Sequence, residues 1–573
     1  MKKESKTKVI ILTCIKRNIP LIFLILFLML AASLLSLVNP ILYQIVIDNV
    51  LPSKDISFLL VLLVLMTIIP LIAVVVSSVK NYFSAKLGEI FTRNLRNECF
   101  KKALFAKQEN FENISSSQIL NRITRECGRI GDVYITNDLI SFVSEFVLLL
   151  SVLITMFIFS IKLTLICIIA FPISAILTWF VSKKSKDIDL KLSNILERGQ
   201  VLLNEIFKMI KLIKLKNGFI HENTKWQDWL NEHKKIKLKS SVTHNINRFL
   251  VGDLIINVTY GVLFFYAGIL VINNELTIGA LVTFISFIPK VYSSLRNVLN
   301  IKVSTSVINN AFEKIDEILD LPQEKTEGKD VKRIESAEFK NVDFRYSRND
   351  FNIKNFNLSL KMGDKIGIVG SSGGGKSTLF DLLTLLYYPQ NGEIMVNSEN
   401  INELNVQSLR SRIAVVTQDV SLFNDTIKNN IIYPDIRCNK DINRIIKSVS
   451  LNEFIGRLPD GLNTMVGENG DLLSEGEKQR IAIANAIAKD SDVILLDEFT
   501  SALDTATEKN ILNEIMKMDD KIIMMISHRV YNIMGCNRVI VIDKGKILEE
   551  GNPHRLIEDH NSAFYKIYNN IFY

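Results

Sequence analysis

A glycine-rich run at residues 370–378 ends in Lys376, Ser377 and Thr378 and follows the apolar segment 365–369. A strand, a glycine loop and a helix in this order bind polyphosphate, because the glycines let backbone N–H groups turn inward and the helix N-terminus adds partial positive charge. Lys376 can reach the terminal phosphates and Ser377 can ligate Mg²⁺. A nucleotide is therefore the first ligand to expect, and its predicted contacts are Gly370, Ser371, Ser372, Gly373, Gly374, Gly375, Lys376, Ser377 and Thr378.

Two acids follow an apolar strand farther along the chain. Residues 493–496 read Val-Ile-Leu-Leu, and Asp497 and Glu498 come next. Ligands bind at the carboxyl edge of strands in α/β sheets. We expect Asp497 to hold Mg²⁺, directly or through water, and Glu498 to polarise the water that attacks the γ-phosphate. An acidic turn after a strand is common, but this one lies in the correct order behind a phosphate-binding loop.

The composition places this chemistry in a membrane protein. The chain has 573 residues, which is too long for one domain. Its apolar content of 48% and mean hydropathy of +0.22 are too high for an ordinary soluble protein. Each predicted span is long enough, or nearly so, to cross about 30 Å of hydrocarbon. The six predicted spans are at about 19–38, 57–79, 138–160, 162–182, 249–272 and 277–298.

Charge predicts the orientation of the spans. The N-terminal arm and the segments 80–137 and 183–248 are rich in Lys and Arg, whereas the turns 41–56, 161–162 and 273–276 hold few charges. Basic segments stay inside, so an even number of spans leaves both termini and the phosphate-binding loop in the cytoplasm. The same segments account for much of the net charge of +8, so no nucleic-acid partner is expected. The six cysteines show no C-x-x-C spacing and are predicted to be free thiols.

The spans and loops predict a multidomain membrane protein, with an all-α six-helix transmembrane domain followed by a cytosolic α/β ATPase domain. The two long basic segments should each fold as two helices that extend beyond the bilayer, with tips near 109–115 and 216–221. The predicted parts are a cytosolic arm at 1–18, the membrane domain at 19–304, a linker at 305–333 and the ATPase domain at 334–573.

Between the phosphate-binding loop and the two acids lies Leu473-Ser474-Glu475-Gly476-Glu477, which leads into a helical segment. One interpretation is a capping box, with Ser474 as N-cap and Glu477 three residues on. The segment also resembles the signature of the ATP-binding cassette (ABC) transporter family, Leu-Ser-Gly-Gly-Gln. That resemblance implies that Ser474, the backbone of Gly476 and the Glu477 acceptor close over the γ-phosphate held by the other ATPase domain of a dimer.

Four more residues match family motifs in order. Tyr346 matches the aromatic residue that stacks on adenine, and Gln418 matches the glutamine that senses Mg²⁺ and contacts the membrane domain. Asp504 matches a loop that communicates across the dimer, and His528 matches the histidine that contacts the γ-phosphate. Singly, these residues could serve packing or loop structure. The resemblance implies catalytic roles for Glu498, His528 and Gln418, and Mg²⁺ contacts for Ser377, Gln418 and Asp497.

The membrane half is similar to the six-span exporter type of the same family, less specifically. Pro40 and Asp48 lie near the end of the first span, and the segments 119–124 and 276–284 also match. One departure concerns the signature, where Glu475 replaces a glycine. Its charge could repel the polyphosphate, or it could point to solvent and favour the helix N-terminus. A homodimer, which is the expected assembly, would have two such sites, whereas a heterodimer would pair this signature with the phosphate-binding loop of another subunit.

The resemblance implies a half-transporter that uses ATP and Mg²⁺, works as a dimer in the lipid bilayer of the cell membrane, and moves a substrate outward. A small peptide is the first choice of cargo. A lipid or lipid-linked glycan flippase, a multidrug exporter and a non-transporting ATP-gated regulator are the alternatives. Glu145 and Asp253 are ionisable groups at membrane depth, where such groups face a cavity or a partner; they could contact cargo or pair structurally.

Overall fold

The computed structural model of the chain describes residues 5–112, 114, 116–247, 249, 254–346, 352–435 and 441–569. The chain divides into two compact units. The first comprises residues 1–104 and 114–321, and the second comprises residues 105–113 and 322–573.

The described residues of the first unit form helices that are joined by turns. Short π-helical turns connect α2 to α3 and α5 to α6. Its α-helices are α1 (Lys6–Arg17), α2 (Ile19–Ile45), α3 (Leu51–Ser53), α4 (Ile56–Leu104), α5 (Ser116–Asn121), α6 (Ser141–Phe159), α7 (Ile161–Lys208), α8 (Ile210–Leu215), α9 (Phe219–Asn247), α10 (Ile255–Ile272) and α11 (Ile278–Leu319).

Within the described part of the chain, five helical stretches are long and apolar enough to cross a membrane. They are Ile19–Ser53, Ile56–Leu104, Ser116–Phe159, Ile255–Ile272 and Ile278–Val298. Each contains or overlaps a predicted span. The remaining predicted span, at 162–182, lies in α7, whose apolar stretch Ile161–Ile173 is shorter than the other five.

The long basic segments form the predicted helical extensions. Helix α4 has 49 residues and α7 has 48, so each continues far beyond the length that spans a bilayer. The chain breaks after Leu104 and again at residues 216–218, close to both predicted tips. Helices α7 and α9 pack together, and Trp229 Nε1 donates to the Ile195 carbonyl at 2.8 Å. The predicted pairs of helices are therefore present.

Polar contacts join the membrane helices at two levels. The Asp48 carboxylate accepts from Thr277 Oγ1 at 2.5 Å and from the Gly279 amide at 2.8 Å, so it caps the start of α11. Glu145 on α6 accepts from Ser294 Oγ at 2.7 Å and from Asn297 Nδ2 at 3.1 Å, both on α11. Glu145 therefore has structural partners, whereas Asp253 lies outside the described residues.

Helix α11 differs from the prediction, because it fills the first half of the range 305–333 that was predicted as a linker. It continues to Leu319, and the boundary between the compact units falls after Leu321. The range 305–319 contains no Pro or Gly, and its buried apolar residues follow the helical period. These residues are Ile308, Ala311, Phe312, Ile315, Ile318 and Leu319.

The predicted N-terminal arm also contains a helix. Helix α1 packs against α11, where the Thr7 amide and hydroxyl both donate to Asp316 Oδ1, at 2.8 and 2.7 Å. Lys6 forms an ion pair with Asp320 at 2.6 Å. The arm is thus part of the first unit. The described cysteines, Cys14, Cys99, Cys127, Cys167 and Cys536, are free and buried, as the spacing predicts, and Cys438 lies outside the described residues.

The second unit is an α/β domain. Its strands are β1 (Ser336–Arg345), β2 (Asn352–Lys361), β3 (Lys365–Gly370), β4 (Asn391–Val396), β5 (Glu399–Asn400), β6 (Ile413–Val416), β7 (Val493–Asp497), β8 (Ile522–Ile526), β9 (Arg538–Asp543) and β10 (Lys546–Gly551). Its helices are α12 (Lys376–Leu383), α13 (Val406–Ser411), α14 (Ile427–Ile432), α15 (Ile442–Ser448), α16 (Asn452–Arg457), α17 (Glu475–Lys489), α18 (Thr505–Met516), α19 (Pro553–Leu556) and α20 (Ala563–Tyr568).

The strands of this unit form two sheets. The larger has the order β10-β9-β3-β8-β7-β6 and is parallel except at β10. Strands β7 and β8 are buried along their whole length, which explains their continuous apolar sequences. The smaller sheet, β2-β1-β4-β5, is antiparallel. The mostly parallel sheet agrees with the fold predicted from the sequence.

A distant segment completes the second unit. Residues 105–113 lie against the chain just after α11: the Lys107 amide donates to the Pro322 carbonyl at 3.0 Å, and the Glu324 amide donates to the Phe105 carbonyl at 2.8 Å. The Lys107 ammonium lies 4.5 Å from the centre of the Tyr388 ring, in a cation–π contact. The described residues 109–112 of the first predicted cytoplasmic tip therefore belong to the α/β unit.

Candidate nucleotide site

The phosphate-binding loop lies between β3 and α12, at the carboxyl edge of the parallel sheet. Gly370 has φ +148°, and a Cβ there would lie 1.8 Å from the Ile542 carbonyl oxygen. Gly375, with φ +102°, precedes the first turn of α12. Only glycine suits these two positions without strain. The loop therefore has no side chain at two positions where its backbone must approach a ligand closely.

Lys376 is buried and folds back over this loop. Its Nζ donates to the carbonyls of Gly370 at 3.0 Å and Ser371 at 2.9 Å. Burial lowers the pKa of Lys376, while the nearby Glu498 and Asp497 carboxylates oppose that shift. The ammonium is thus held at the loop without a direct carboxylate bond, where it can attract a phosphate.

The oxygen atoms of Ser377 and Asp497 beside the loop are suitable ligands for a Mg²⁺ ion that is held mainly by phosphates. Ser377 Oγ donates to Asp497 Oδ2 at 2.6 Å, so a hydroxyl and a carboxylate meet at the start of α12. Mg²⁺ prefers oxygen ligands and commonly binds one or two carboxylates together with substrate phosphates. Burial raises the pKa of Asp497, which a bound cation would oppose. Ser377 and Asp497 are therefore the residues that would hold the ion.

The three predicted catalytic side chains meet at Glu498. His528 Nε2 lies 2.7 Å from Glu498 Oε1, and Gln418 Nε2 donates to Glu498 Oε2 at 3.1 Å. Glu498 follows the buried strand β7 and has φ +45°, an uncommon conformation for a residue with a side chain. Residues far apart in sequence thus converge on one carboxylate beside Asp497.

Tyr346 lies against α12 on another side of the loop. Its hydroxyl donates to Asp381 Oδ2 at 2.8 Å, and its ring packs edge-on against Phe344 and Tyr387, with centroids 4.8 and 5.0 Å away. These contacts hold the ring near the phosphate-binding helix. Stacking of Tyr346 on adenine stays a prediction, and Asp381 is a partner that the motif did not indicate.

The signature segment forms the start of α17. The Ser474 amide donates to Glu477 Oε2 at 2.8 Å, and the Glu477 amide donates to Ser474 Oγ at 3.4 Å, which is the capping box expected from the spacing. Glu475 points outward: its side chain is 70% exposed and pairs with Lys478 at 2.8 Å. This geometry agrees with the alternative in which Glu475 faces solvent.

The signature is tied to the loop that follows β7. A Cβ at Gly476 would lie 2.9 Å from the Ala502 carbonyl oxygen. The buried Gln479 donates to Ser501 Oγ at 2.8 Å and accepts from the Ala502 amide at 3.0 Å. Asp504 ends this loop and caps α18 through the Thr507 amide at 3.0 Å. In the described chain, Ser474 and Glu477 bond to each other rather than to the phosphate-binding loop.

Sequence reasoning missed several supporting residues. Gln479 stands beside a family motif but received no role, and Asp381 and Asp543 lie outside every motif. Asp543 accepts from Ser371 Oγ at 2.6 Å and so fixes one side of the phosphate-binding loop. Asp543 ends β9, a strand adjacent to β3, and an acid at a strand's carboxyl end was the only available signal.

Comparisons with known proteins identify the family. A family model described as "ABC transporter transmembrane region" matches residues 22–295, and one described as "ABC transporter" matches residues 353–501. A Rickettsia typhi protein carrying the name "export ATP-binding/permease protein" is 32% identical over 535 residues, which cover 91% of this chain and 90% of that protein.

Two kinds of further match extend the comparison. An "ATP-dependent lipid A-core flippase" of Haemophilus influenzae is 31% identical over 547 residues, covering 94% of this chain and 91% of the relative. The solved structure of a bacterial Atm1-family ABC exporter with ATP bound superposes with a TM-score of 0.84 at 22% identity, covering 97% of this chain and 99% of that one, and so shows the same fold. The chain therefore belongs to the ABC transporter family, as an exporter-type half-transporter that couples ATP hydrolysis to transport.

Proposed function

We propose that two copies of this chain form an ATP-driven exporter in the cell membrane. The observation that carries the proposal is the convergence of Gln418 and His528 on Glu498, next to the Ser377–Asp497 pair, in a chain that also contains membrane-spanning helices. The ATPase unit and both termini lie on the cytoplasmic side in this proposal, because the basic segments favour that side.

The geometry supports a distinct role in ATP hydrolysis for each of these residues. Glu498 orients and polarises the attacking water as a general base. His528 and Gln418 hold that carboxylate from two directions, and the family resemblance implies that His528 also contacts the γ-phosphate. Lys376 and the loop amides bind the β- and γ-phosphates. Mg²⁺, when bound by Ser377 and Asp497, neutralises charge on the phosphate oxygens.

The dimer follows from the number of motifs in one chain. Each chain has one phosphate-binding loop and one signature, and Ser474 and Glu477 do not bond to the loop of their own chain. A second copy would supply the opposing signature, and ATP would bind between the two. The exposure of Glu475 and its pairing with Lys478 support this homodimer.

We propose that the cargo is taken from the cytoplasmic side and moved outward. A small peptide is the first choice from the sequence. A lipid is a second candidate because relatives from Haemophilus influenzae and Pectobacterium atrosepticum, each 31% identical, carry the name "ATP-dependent lipid A-core flippase". Both cargo classes require the same ATP-driven outward step.

The test is ATP hydrolysis and transport by the full chain expressed alone and reconstituted in lipid vesicles. Glu498→Gln is the matched variant, since it keeps the shape of the side chain and removes the base. We expect kcat to fall by about 10²- to 10⁴-fold, as is typical when a general base is lost, with ATP binding retained. Translocation of a headgroup-labelled phospholipid and uptake of a labelled small peptide into inverted vesicles are measured side by side.

The two cargo assays separate the outcomes. ATP-dependent movement of either probe, lost in Glu498→Gln, supports the exporter and selects its cargo class. A folded wild-type protein that binds ATP without turnover would contradict the homodimer and point to a second half-transporter. Turnover that moves neither probe and is insensitive to both would favour a non-transporting regulator.

A further inference from the structure

A carboxylate outside the family motifs is buried behind the catalytic residues. Glu508 lies in the first turns of α18, and its side chain is 0% exposed. It accepts from Arg529 Nη1 at 2.6 Å, from Asn532 Nδ2 at 2.8 Å and from the Tyr531 hydroxyl. All three donors come from the segment that follows His528. One carboxylate therefore binds three side chains of the segment that follows His528.

The same network reaches the segment that carries Glu498. The buried Asn532 Nδ2 also lies 3.1 Å from Thr500 Oγ1 and 3.4 Å from Ser527 Oγ. Thr500 is two residues after Glu498, and Ser527 immediately precedes His528. The hydrogen bonds centred on Glu508 and Asn532 thus join the two chain segments whose side chains meet at 2.7 Å in the site.

Packing alone gives no reason for a charge at this position. A carboxylate taken out of water loses hydration, and well-packed apolar residues often replace a buried charged network without loss of stability. At Glu508, burial by itself raises the pKa, but bonds from Thr500, Tyr531 and Asn532 and the Arg529 charge outweigh it, so the pKa lies below the usual value. The group therefore stays ionised and keeps its directional bonds, which apolar packing could not provide.

We propose that Glu508 is a positioning residue for ATP hydrolysis. It acts through Asn532 and Thr500 to hold the side chains of His528 and Glu498 in the correct position relative to each other. This role rests on the ATPase activity and is independent of which cargo is moved. A misplacement of about 1 Å in such a pair can lower a rate about 100-fold, so a modest loosening of the network is enough to matter.

The experiment compares Glu508→Gln and Thr500→Val with wild type in the full chain reconstituted in lipid. Glu508→Gln keeps the shape and removes the charge, and Thr500→Val removes the hydroxyl that bonds Asn532 and Glu508 from the catalytic segment. Glu514→Gln is the control, since Glu514 lies on the same helix in a surface pair with Lys517 at 2.6 Å. The measurements are kcat and KM for ATP, vanadate trapping of ADP, thermal unfolding and amide hydrogen exchange.

A positioning role predicts that both variants lose kcat by on the order of 10- to 100-fold while KM stays within about twofold of wild type. Vanadate trapping should fall in parallel with kcat. Amide exchange should rise together in residues 498–504 and 527–532, with Glu514→Gln unchanged in every readout. This exchange comparison does not require turnover. It therefore tests the proposal even when the wild-type homodimer is inactive.

Two results would overturn the proposal. One is a folded Glu508→Gln or Thr500→Val protein with wild-type kcat and unchanged exchange in both segments. The other is a loss of activity that only follows a lower unfolding temperature, with kcat and ATP binding falling together. If Glu508→Gln does not fold, Thr500→Val decides, because it leaves the Glu508 bonds to Arg529, Tyr531 and Asn532 in place.

Discussion

The Glu498 carboxylate uses both of its oxygens for protein contacts. One oxygen faces His528 and the other accepts from Gln418, so each neighbour restrains a different side of the group. A carboxylate held at two points needs little reorganisation when a water molecule binds beside it. The residue that should supply the base is therefore restrained at both of its oxygens.

The exposed Glu475 should be dispensable for hydrolysis. Its carboxylate is 70% exposed and pairs with Lys478, and exposed ion pairs contribute only about 0–1 kcal/mol. We expect Glu475→Gly, which restores the family residue, to change kcat by less than about threefold, as expected for a weak surface pair. Steady-state ATP hydrolysis in lipid vesicles is the measurement.

The adjacent Gly476 provides the contrast in the same assay. A Cβ there would come within 2.9 Å of the Ala502 carbonyl oxygen and would push the signature away from the loop that follows β7. Gly476→Ala should therefore lower kcat by on the order of tenfold or more, as small displacements in such sites do. A large effect of Glu475→Gly with little effect of Gly476→Ala would contradict this assignment.

The order of the motifs indicated the residues of the site, but it did not indicate the residues that hold the site segments together. Gln418, Glu498 and His528 could be singled out because each stands in a recognisable local sequence, and the structure brings them together, while their catalytic roles stay predictions. Asp543, Gln479 and Glu508 instead form hydrogen bonds between segments that are distant in the chain. Such contacts depend on how strands and helices are ordered in space, and no local spacing encodes that order.

At the scale of elements, the start of α11 depends on a close approach by Asp48. A Cβ at Gly279 would lie 2.6 Å from the Asp48 carboxyl group, so Gly279→Ala must displace the cap. We expect a loss of about 1–3 kcal/mol, typical of overpacking, seen as a lower unfolding temperature of the purified protein. Gly268→Ala on α10 is the control.

The control has a clear expectation of its own. No atom lies within 4 Å of a Cβ at Gly268, so alanine there should be neutral or should stabilise the helix by up to about 1 kcal/mol. Equal destabilisation by both substitutions would mean that lost glycine flexibility, and not the Asp48 contact, is responsible.

Hydropathy predicted the membrane helices, because spans must be long and apolar. It failed at 305–319, where α11 continues with an amphipathic pattern that a search for apolar runs does not detect. Buried residues such as Ile308, Phe312 and Ile315 recur at helical spacing there. The helical period, applied beyond the last span, would have moved the predicted linker toward Pro322, where a helix is expected to end.

For the whole molecule, charge predicts which side each turn faces. Ser53 is the exposed last residue of α3, and Lys216 lies in the exposed turn before α9. A membrane-impermeant maleimide should label Ser53→Cys in intact cells and Lys216→Cys only in inverted vesicles. The wild-type chain measures background labelling of the native cysteines. Labelling of Lys216→Cys in intact cells would reverse the proposed orientation.

The segment 105–113 means that the ATPase half is not one continuous piece of chain. Its backbone pairs with Pro322 and Glu324, and Lys107 covers the Tyr388 ring, although more than 200 positions separate the two parts. A fragment that begins at residue 322 would leave these groups facing water. Kinetic constants measured on such an excised domain would describe an incomplete protein, and adding a peptide of residues 105–113 should restore part of its stability.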